Sequence, residues 1–339
     1  MSFKQALRVL RLSIGKRLLD KKSGDRVKAR RILFMRQDGK LGDYMVSSFC
    51  YREIKNYDPT IHIAVVCTKK DAYLYESNPY IDALYFVRSK RISDYILIGK
   101  RLAKLKYDVV IDPTDVLRNR DLLLLRLIRA SNYIGYNKSA YKLFSASVEG
   151  VQHYSLLYKK ALELIDIPVQ NIQYDIPTDR QAEQEIDLFL QDNAIDNYLA
   201  INFYGAASSR KMSVENIKKH VHYIQQHVPG RAIVLLSYPE KYSELSLLSQ
   251  EFSHVYVHPT QNVFHTIALI RRCLQLISVD TSTIHIASGF NKKIIAWYGK
   301  NEIVYKQWHP DSQADVHVLF YDKQLNELSP EQINPQWIV

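Results

Sequence analysis

The chain has 339 residues, of which 47% are hydrophobic and 24% are charged, a composition typical of globular proteins. This length suits two domains of about 150 residues, each able to bury a core. The formal net charge of +11 predicts an anionic partner. Three scattered cysteines show no metal-ligand spacing and favour a reducing compartment over a disulfide framework.

The candidate anionic partners are a nucleic acid, a membrane face and a phosphorylated saccharide. The sequence has no zinc-ligand spacing, no aromatic signature of an RNA-recognition motif and no arginine-rich tail, so a nucleic acid is the least favoured of the three. It also lacks an apolar run of about 18 residues, the minimum for a membrane-spanning helix.

Residues 1–30 predict a basic amphipathic helix. Apolar side chains recur at spacings of three and four, and lysines and arginines fill much of the remainder. The apolar stripe consists of Phe3, Leu7, Leu10, Ile14 and Leu18. Charges interrupt every apolar run, which is unlike a signal peptide. Two interpretations stay open: the helix lies on an anionic membrane surface, or it packs on its own domain with a solvated basic face.

The first half of the chain alternates strands with helices. Strands are predicted at 31–35, 61–67, 107–111 and 134–136, with a helix-to-strand connection over 79–86 and helices at about 44–55, 92–105 and 122–128. Polar loops follow the strands, and the strand at 107–111 is wholly apolar. Both features indicate a parallel sheet that is covered on both faces.

A polar stretch at 174–184, which contains Pro177, predicts a linker before a second alternating series. Its strands are predicted at 198–203, 232–237, 255–257, 276–279 and 294–298, and its helices at 214–226, about 240–251, 263–273 and after 280–283. We therefore expect an α/β protein with two Rossmann-like domains that face each other across a cleft. The predicted divisions are a helix at 1–30, domains at 31–175 and 185–320, and a tail at 321–339.

The stretch from Leu276 to Gly299 is the strongest single candidate for a ligand site. A buried strand runs into Asp280-Thr281-Ser282-Thr283, side chains that favour helix N-caps, and His285 follows. Free N–H groups at such a helix start attract phosphate, which suits a nucleotide diphosphate. The alternative is an ordinary cap followed by a packed histidine.

The loop Arg36–Asp43, with the sequence RQDGKLGD, is the candidate site of the first half. Gly39 and Gly42 allow a close approach of the backbone to a ligand. Asp43 is either the N-cap of the next helix or a carboxylate that faces the cleft and accepts a proton.

Four motifs in matching order carry a resemblance over about residues 30–310. They are RQDGKLGD at 36–43, YDVVID at 107–112 with the following Leu117-Arg118, IGY at 134–136, and DTSTIHIA at 280–287. Together they resemble glycosyltransferase family nine, the ADP-heptose:lipopolysaccharide heptosyltransferases. The resemblance implies a GT-B fold with an N-terminal acceptor domain and a C-terminal nucleotide-sugar domain. It also implies inverting, metal-independent transfer of L-glycero-D-manno-heptose from ADP-heptose to the lipopolysaccharide inner core, without a cofactor.

The resemblance assigns roles by position. Asp43 matches the proposed catalytic base. The segment that holds the donor nucleotide and phosphates matches Asp280, Thr281, Ser282, Thr283 and His285, with Ser282 where the family usually has glycine. In the loop after the first strand of the second domain, the phosphate-binding lysine matches Arg210, with Lys211 beside it, although the usual Trp-Pro is missing. The ribose-binding acid best matches Glu240, with Glu244 as its rival.

The implied acceptor carries Kdo carboxylates and phosphate, for which Lys40, Arg118 and Arg120 are candidate contacts. Simple solvation of these side chains is the alternative. The expected partners are ADP-heptose, Kdo-bearing lipid A and the anionic inner-membrane surface, reached from the cytoplasmic face. Two other functions stay open, namely a glycosyltransferase with another donor or acceptor, and a non-catalytic protein that binds saccharide or lipid.

Overall fold

The computed structural model describes residues 12–24, 27–37, 39–88 and 91–339. The chain divides into two compact units, of which unit 1 ends at Ile172 and unit 2 covers Gln173–Val339. Within the described ranges, no helix has both the length and the apolar character needed to cross a bilayer. Cys50, Cys67 and Cys273 are buried free thiols.

Unit 1 is built around a six-stranded parallel sheet in the order β3-β2-β1-β4-β5-β6. The central strand β1 is fully apolar after its first residue and pairs with β2 and β4, so both of its faces are buried. The elements of unit 1 are α1 (12–19), β1 (Arg31–Met35), α2 (Leu41–Ser47), α3 (Phe49–Tyr57), β2 (His62–Cys67), α4 (Tyr73–Glu76), β3 (Ala83–Phe86), α5 (Ile92–Lys104), β4 (Val109–Asp112), α6 (Asn119–Ile128), β5 (Asn132–Tyr136), β6 (Ala146–Val148) and α7 (Tyr154–Glu163).

Unit 2 repeats this plan with a second six-stranded parallel sheet, in the order β12-β11-β10-β7-β8-β9. Trp297 of β11 is fully buried and stacks on Phe203, with ring centroids 5.6 Å apart. The elements of unit 2 are α8 (Arg180–Asp192), β7 (Tyr198–Asn202), α9 (Val214–His227), β8 (Ala232–Leu235), α10 (Tyr242–Ser249), β9 (Val255–Val257), α11 (Val263–Arg272), β10 (Gln275–Val279), α12 (Ser282–Gly289), β11 (Lys293–Gly299), α13 (Glu302–Trp308) and β12 (Val316–Tyr321).

Counted from its first strand, each sheet has the order 3-2-1-4-5-6 of a doubly wound fold, so the predicted α/β fold class with Rossmann-like domains is confirmed. The strand order reverses between β1 and β4 in unit 1 and between β7 and β10 in unit 2. Loops diverge at the carboxyl ends of such a strand pair and leave a crevice there, which is where ligands bind in this class of sheet. Both candidate sites predicted from the sequence follow these strands.

The helix predicted over 44–55 is in fact two helices, α2 and α3, which meet at Ser48. The Ser47 hydroxyl donates hydrogen bonds to the Asp43 and Tyr44 carbonyls, and the Ser48 hydroxyl donates to the Met45 carbonyl. Side chains that bond back to the preceding turn compete with the helical hydrogen-bond ladder. Two consecutive serines therefore interrupt what the apolar pattern presents as one helix.

The polar stretch 174–184, predicted as a linker, contains the start of α8 at Arg180. The Asp179 carboxylate caps this helix by accepting a hydrogen bond from the Ala182 amide. α8 packs with α11, and Arg272 forms ion pairs with Glu183 and Asp187 of α8. The polar composition of residues 174–184 therefore gave no indication that the surface helix α8 begins there.

Residues 321–339, predicted as a tail, are packed on unit 2. They form three short 3-10 turns, and Leu325, Leu328 and Ile333 are almost fully buried in the core that contains Trp297. Full burial of such side chains contributes roughly 1.5–3 kcal/mol each. The segment is thus part of the core of unit 2.

The helix predicted at the N-terminus is described only from residue 12, and Phe3, Leu7 and Leu10 lie outside the described residues. Leu19 packs on the unit 1 core, and the Lys16 ammonium lies 4.3 Å from the Tyr141 ring centroid. By contrast, Ile14 and Leu18 of the predicted apolar stripe are 52% and 67% exposed. Part of α1 therefore packs on unit 1, while Ile14 and Leu18 of the apolar stripe are exposed to solvent.

Candidate active site

Unit 1 has a cavity of about 360 Å³ at the carboxyl ends of β1 and β4. The loops after these two strands line it, together with the first turns of α2, α5, α6 and α7. The lining residues are Gln37, Lys40, Asp43, Tyr95, Pro113, Thr114, Asp115, Val116, Arg118, Arg120, Asp121 and Tyr154. The structure thus brings together Asp43 and the three cations that the sequence analysis proposed for the acceptor.

Asp43 lies in the first turn of α2, whose N-cap is Lys40, so the alternative role of Asp43 as the N-cap is wrong. It is 8% exposed. Its carboxylate lies 3.6 Å from a guanidinium nitrogen of Arg36, which is almost fully buried and donates a 2.5 Å hydrogen bond to the Tyr158 hydroxyl. The adjacent positive charge stabilises the ionised carboxylate, which is the form that accepts a proton. Asp43 can therefore act as a base at the wall of the cavity.

In the glycine-containing loop before α2, Gly39 packs against the Asp71 side chain. Gly39 has φ +67°, and a Cβ at this position would collide with the Asp71 carboxylate. This glycine was predicted to allow the close approach of a ligand, whereas in the structure it allows the close approach of the Asp71 side chain. Asp38 of the same loop lies outside the described residues.

Arg118, Arg120 and Asp121 form the start of α6. Arg118 is the N-cap, and its amide donates a 3.3 Å hydrogen bond to the Asp121 carboxylate. Burial raises the pKa of Asp121, and the nearby Arg120 guanidinium, 3.8 Å away, opposes that rise. Lys40 and Arg118 are exposed and also line the cavity. The cavity therefore presents cations to an anionic ligand, alongside carboxylates that accept hydrogen bonds from hydroxyls.

Asp115 and Tyr154 also line the cavity and were not predicted as site residues from the sequence. The Tyr154 hydroxyl donates a 3.0 Å hydrogen bond to the Asp115 carboxylate, and burial raises the pKa of Tyr154. Asp115 had a usable signal, because it belongs to the polar loop directly after the apolar strand β4. Tyr154 begins α7, far along the chain, and no local pattern marks it.

In unit 2 the candidate donor site lies at the carboxyl ends of β7 and β10. Asp280 directly follows β10, and the Arg210 guanidinium, from the loop after β7, makes a 3.0 Å ion pair with its carboxylate. The same guanidinium nitrogen donates to the Asp280 carbonyl. Burial raises the pKa of Asp280, and Arg210 opposes that rise. Gly205 permits this arrangement, because a Cβ there would lie 2.6 Å from the Arg210 Cβ.

Behind this pair, hydroxyl groups form a network around the start of α12. Thr281 is the N-cap, and its hydroxyl lies 2.7 Å from that of Thr283. The Asn202 amide nitrogen lies within hydrogen-bond distance of both hydroxyls and of the Ser278 hydroxyl, at 3.1–3.3 Å. Asn202, which the sequence analysis missed, ends β7 and links the two strands at the switch point.

The remaining predicted donor residues occupy varied positions. Ser282 is the first residue of α12, and His285 is 3% exposed with its ring 5.5 Å from that of Trp308. Lys211 forms an antiparallel bridge with Tyr204.

Glu240 is exposed in the turn before α10. Its rival Glu244 accepts hydrogen bonds from Lys241 and Tyr204, which lower the pKa of Glu244.

Among the residues that the structure describes, no group of three or more His, Cys, Asp or Glu side chains is arranged to hold a metal ion.

Comparison with known proteins relates the chain to one class of enzyme. The sequence profile of glycosyltransferase family 9 (heptosyltransferase) matches residues 96–338. A protein of Escherichia coli (strain K12), provisionally named lipopolysaccharide heptosyltransferase 4, is 22% identical over 307 residues, which cover 87% of this chain and 83% of that protein.

Solved structures agree on the fold. A glycosyl transferase family 9 protein from Veillonella parvula superposes with a TM-score of 0.73 at 20% identity, covering 91% of this chain and 96% of its own. The ADP-heptose lipopolysaccharide heptosyltransferase II of E. coli gives a TM-score of 0.67 at 13% identity, with 91% and 96% covered. The chain is therefore a glycosyltransferase with the GT-B fold. It belongs to glycosyltransferase family 9, the heptosyltransferase family.

Proposed function

We propose that the chain transfers heptose from ADP-L-glycero-D-manno-heptose to a Kdo-bearing inner-core acceptor of lipopolysaccharide or lipooligosaccharide, with inversion and without a metal. The observation that carries this proposal is the unit 1 cavity, which is lined by Asp43 together with Lys40, Arg118 and Arg120. The name of the E. coli structure that shares the fold specifies ADP-heptose as that protein's donor, which supports the same donor here.

Unit 2 is proposed to bind the donor diphosphate. The Arg210 guanidinium lies at the start of α12, where the free backbone N–H groups of a helix attract phosphate. Lys211 and the hydroxyls of Thr281, Ser282 and Thr283 would add further donors, while Asp280 and His285 complete the segment. Glu240, or its rival Glu244, would accept hydrogen bonds from the ribose hydroxyls.

Unit 1 is proposed to bind the acceptor. A Kdo residue carries a carboxylate and several hydroxyls, which match a cavity that offers both cations and carboxylates. Arg118 and Arg120 can form charge-assisted hydrogen bonds to the carboxylate or to a phosphate, and Lys40 can supply a mobile ammonium. The carboxylates of Asp115 and Asp121 can accept hydrogen bonds from sugar hydroxyls.

The reaction then needs one base and one stabilised leaving group. The acceptor hydroxyl oxygen attacks the anomeric carbon from the face opposite the diphosphate, and its proton passes to the Asp43 carboxylate. The bond between the anomeric carbon and the phosphate oxygen breaks, and ADP departs with the electron pair. Arg210, with Lys211 and the N–H groups of α12, neutralises the developing charge, which is the role a metal has in other transferases. In-line displacement inverts the anomeric configuration.

The reaction is proposed to take place at the cytoplasmic face of the inner membrane, where the protein binds peripherally. Ile14 and Leu18 are exposed on α1, and Arg17, Lys21 and Lys22 are exposed beside them. Apolar side chains flanked by cations bind anionic lipid surfaces. Replacing both Ile14 and Leu18 with serine should reduce sedimentation with anionic vesicles, whereas the same change at Ile92 and Leu97, which are equally exposed on α5, should not.

The direct test incubates the full chain with ADP-heptose and Kdo-bearing lipid A in the presence of a chelator. Mass spectrometry should show addition of one heptose, and NMR should show the inverted anomer. ADP-heptose should raise the unfolding temperature more than GDP- or UDP-sugars do. Protection by one of those sugars instead would indicate another donor, and loss of transfer with the chelator would contradict the metal-independent mechanism.

A further inference from the structure

Lys138, two residues after the end of β5, carries a side chain that is completely buried. Its ammonium group donates hydrogen bonds to three backbone carbonyls, those of Thr114, Asp115 (3.1 Å) and Tyr136 (2.9 Å). An ammonium group has three N–H donors, so every one is used. Two of these acceptors belong to residues 113–116, which we call the β4 loop and which lines the unit 1 cavity.

The local backbone is shaped to bring this side chain across the sheet. Asn137 adopts a left-handed conformation with φ 53°, and the Lys138 amide donates a 2.7 Å hydrogen bond to the Ser147 hydroxyl. Gly135 leaves room for the lysine, because a Cβ there would lie 2.5 Å from the Lys138 Cγ. Position 135 of the Ile134-Gly135-Tyr136 motif is therefore a glycine because the aliphatic part of the Lys138 side chain passes close to its backbone.

The surroundings of the ammonium are charged as well as buried. Burial lowers the pKa of Lys138, while the negative charges of Asp112 and Asp115 oppose that shift. Burial also raises the pKa of Asp112 to about 6. A buried charge rarely increases stability over an apolar side chain of similar size, because desolvation offsets the attraction. What the ammonium supplies, and an apolar side chain would not, is a fixed path for the β4 loop.

We propose that Lys138 is a positioning residue that fixes the β4 loop, and with it Asp115, in the conformation that binds the acceptor. Asp115 transmits this order to α7, because its carboxylate accepts the hydrogen bond from the Tyr154 hydroxyl. The acceptor part of this inference rests on the proposed function, whereas the loop part does not. Lys138 itself is buried and does not touch the ligand.

The test compares Lys138→Met with Lys55→Met. Lys55 is a matched control in the same unit, because its ammonium also donates to a backbone carbonyl, that of Ile61, and pairs with Asp82. Lys55 lies near the amino end of β2 and does not line the cavity. Hydrogen exchange of the amides of residues 114–116 in the β4 loop should accelerate about tenfold or more in Lys138→Met and stay unchanged in Lys55→Met.

The kinetic readout separates positioning from general destabilisation. Lys138→Met should raise the KM for Kdo-bearing lipid A about tenfold or more, because misplacing a binding group by an ångström weakens binding strongly. Its affinity for ADP, measured by calorimetry, should stay within about twofold of wild type, since the donor residues belong to unit 2. If Lys138→Met does not fold, Ser147→Ala, which keeps the ammonium but removes the hydroxyl that accepts the hydrogen bond of the Lys138 amide, should change both readouts in the same direction.

Unchanged exchange in the β4 loop would overturn the inference, and so would faster exchange with an unchanged acceptor KM. If the wild-type chain does not use Kdo-bearing lipid A, the proposed function fails separately. The hydrogen-exchange comparison of Lys138→Met with Lys55→Met then tests only whether Lys138 fixes the β4 loop. Faster exchange in Lys138→Met supports that role, and unchanged exchange refutes it.

Discussion

Replacing Asp43 with asparagine tests the base and its ion pair together. The change keeps the shape of the side chain but removes the charge 3.6 Å from the buried Arg36 guanidinium. Removing one partner of a buried ion pair can cost about 3–5 kcal/mol. Asparagine retains an oxygen acceptor, and Arg36 keeps its hydrogen bond to Tyr158, so we expect a loss of about 1–3 kcal/mol in the free energy of unfolding.

The effect on catalysis should be larger and of a different kind. A positioned general base contributes about 10²–10⁴-fold to a rate, and asparagine cannot accept the proton. We therefore expect kcat to fall by about that factor, while ADP affinity, which the proposed function assigns to unit 2, stays near the wild-type value.

The assay measures ADP release at saturating donor and acceptor, urea unfolding, and ADP binding by calorimetry. Glu53→Gln is the matched control, because Glu53 is a buried carboxylate of unit 1 that lies 3.2 Å from a guanidinium nitrogen of Arg52 and does not line the cavity. It should lose stability but keep kcat. The double variant Arg36→Met with Asp43→Asn should regain stability without regaining activity. Asp43→Asn that retains more than about a tenth of wild-type kcat would refute the assignment of the base.

Three further predictions concern unit 2. Arg210→Met should weaken ADP binding, measured by calorimetry, about 10–100-fold, because the change removes a charged donor. Lys211→Met should weaken ADP binding less. If Lys211→Met weakens it more, the phosphate contact belongs to Lys211. Ile333→Ala should cost about 2–5 kcal/mol in urea unfolding, because this side chain is fully buried, and a loss under about 1 kcal/mol would contradict its place in the core. Burial lowers the pKa of His258 to about 4, below its unfolded value of about 6.5, so the unfolded chain binds a proton that the folded chain does not. Stability should therefore fall as pH drops from 6.5 towards 4, by about 1–2 kcal/mol at pH 5, and His258→Gln should remove that part of the slope in urea titrations.

Most of the strands and helices could be predicted from the spacing of apolar residues along the sequence. β1 and β7 were predicted within one residue of their bounds, because buried parallel strands are short, continuous apolar runs between polar loops. The errors arose where side-chain hydrogen bonds outweigh that pattern. Ser47 and Ser48 divide one predicted helix, and Asp179 starts a helix inside a polar stretch that carries few apolar residues.

The candidate sites were predictable only in part, because loops after neighbouring parallel strands meet at one edge of the sheet. That rule was enough to select Asp43, Arg118 and Asp280. It does not reveal partners that arrive from distant parts of the chain, such as Tyr154 from α7 or Asn202 beneath the start of α12. Lys138 was hidden for a related reason, since a lysine after a strand is ordinarily solvated and only its packing against Gly135 shows otherwise.

The stacking of Trp297 on Phe203 has a practical consequence for spectroscopy. The chain has three tryptophans, and all of them, Trp297, Trp308 and Trp337, belong to unit 2. Emission excited at the red edge of the indole band therefore reports on the C-terminal unit alone, and the tyrosine-rich N-terminal unit is silent at that wavelength. Fluorescence and far-UV circular dichroism recorded on the same sample would reveal whether the two units melt together or one after the other.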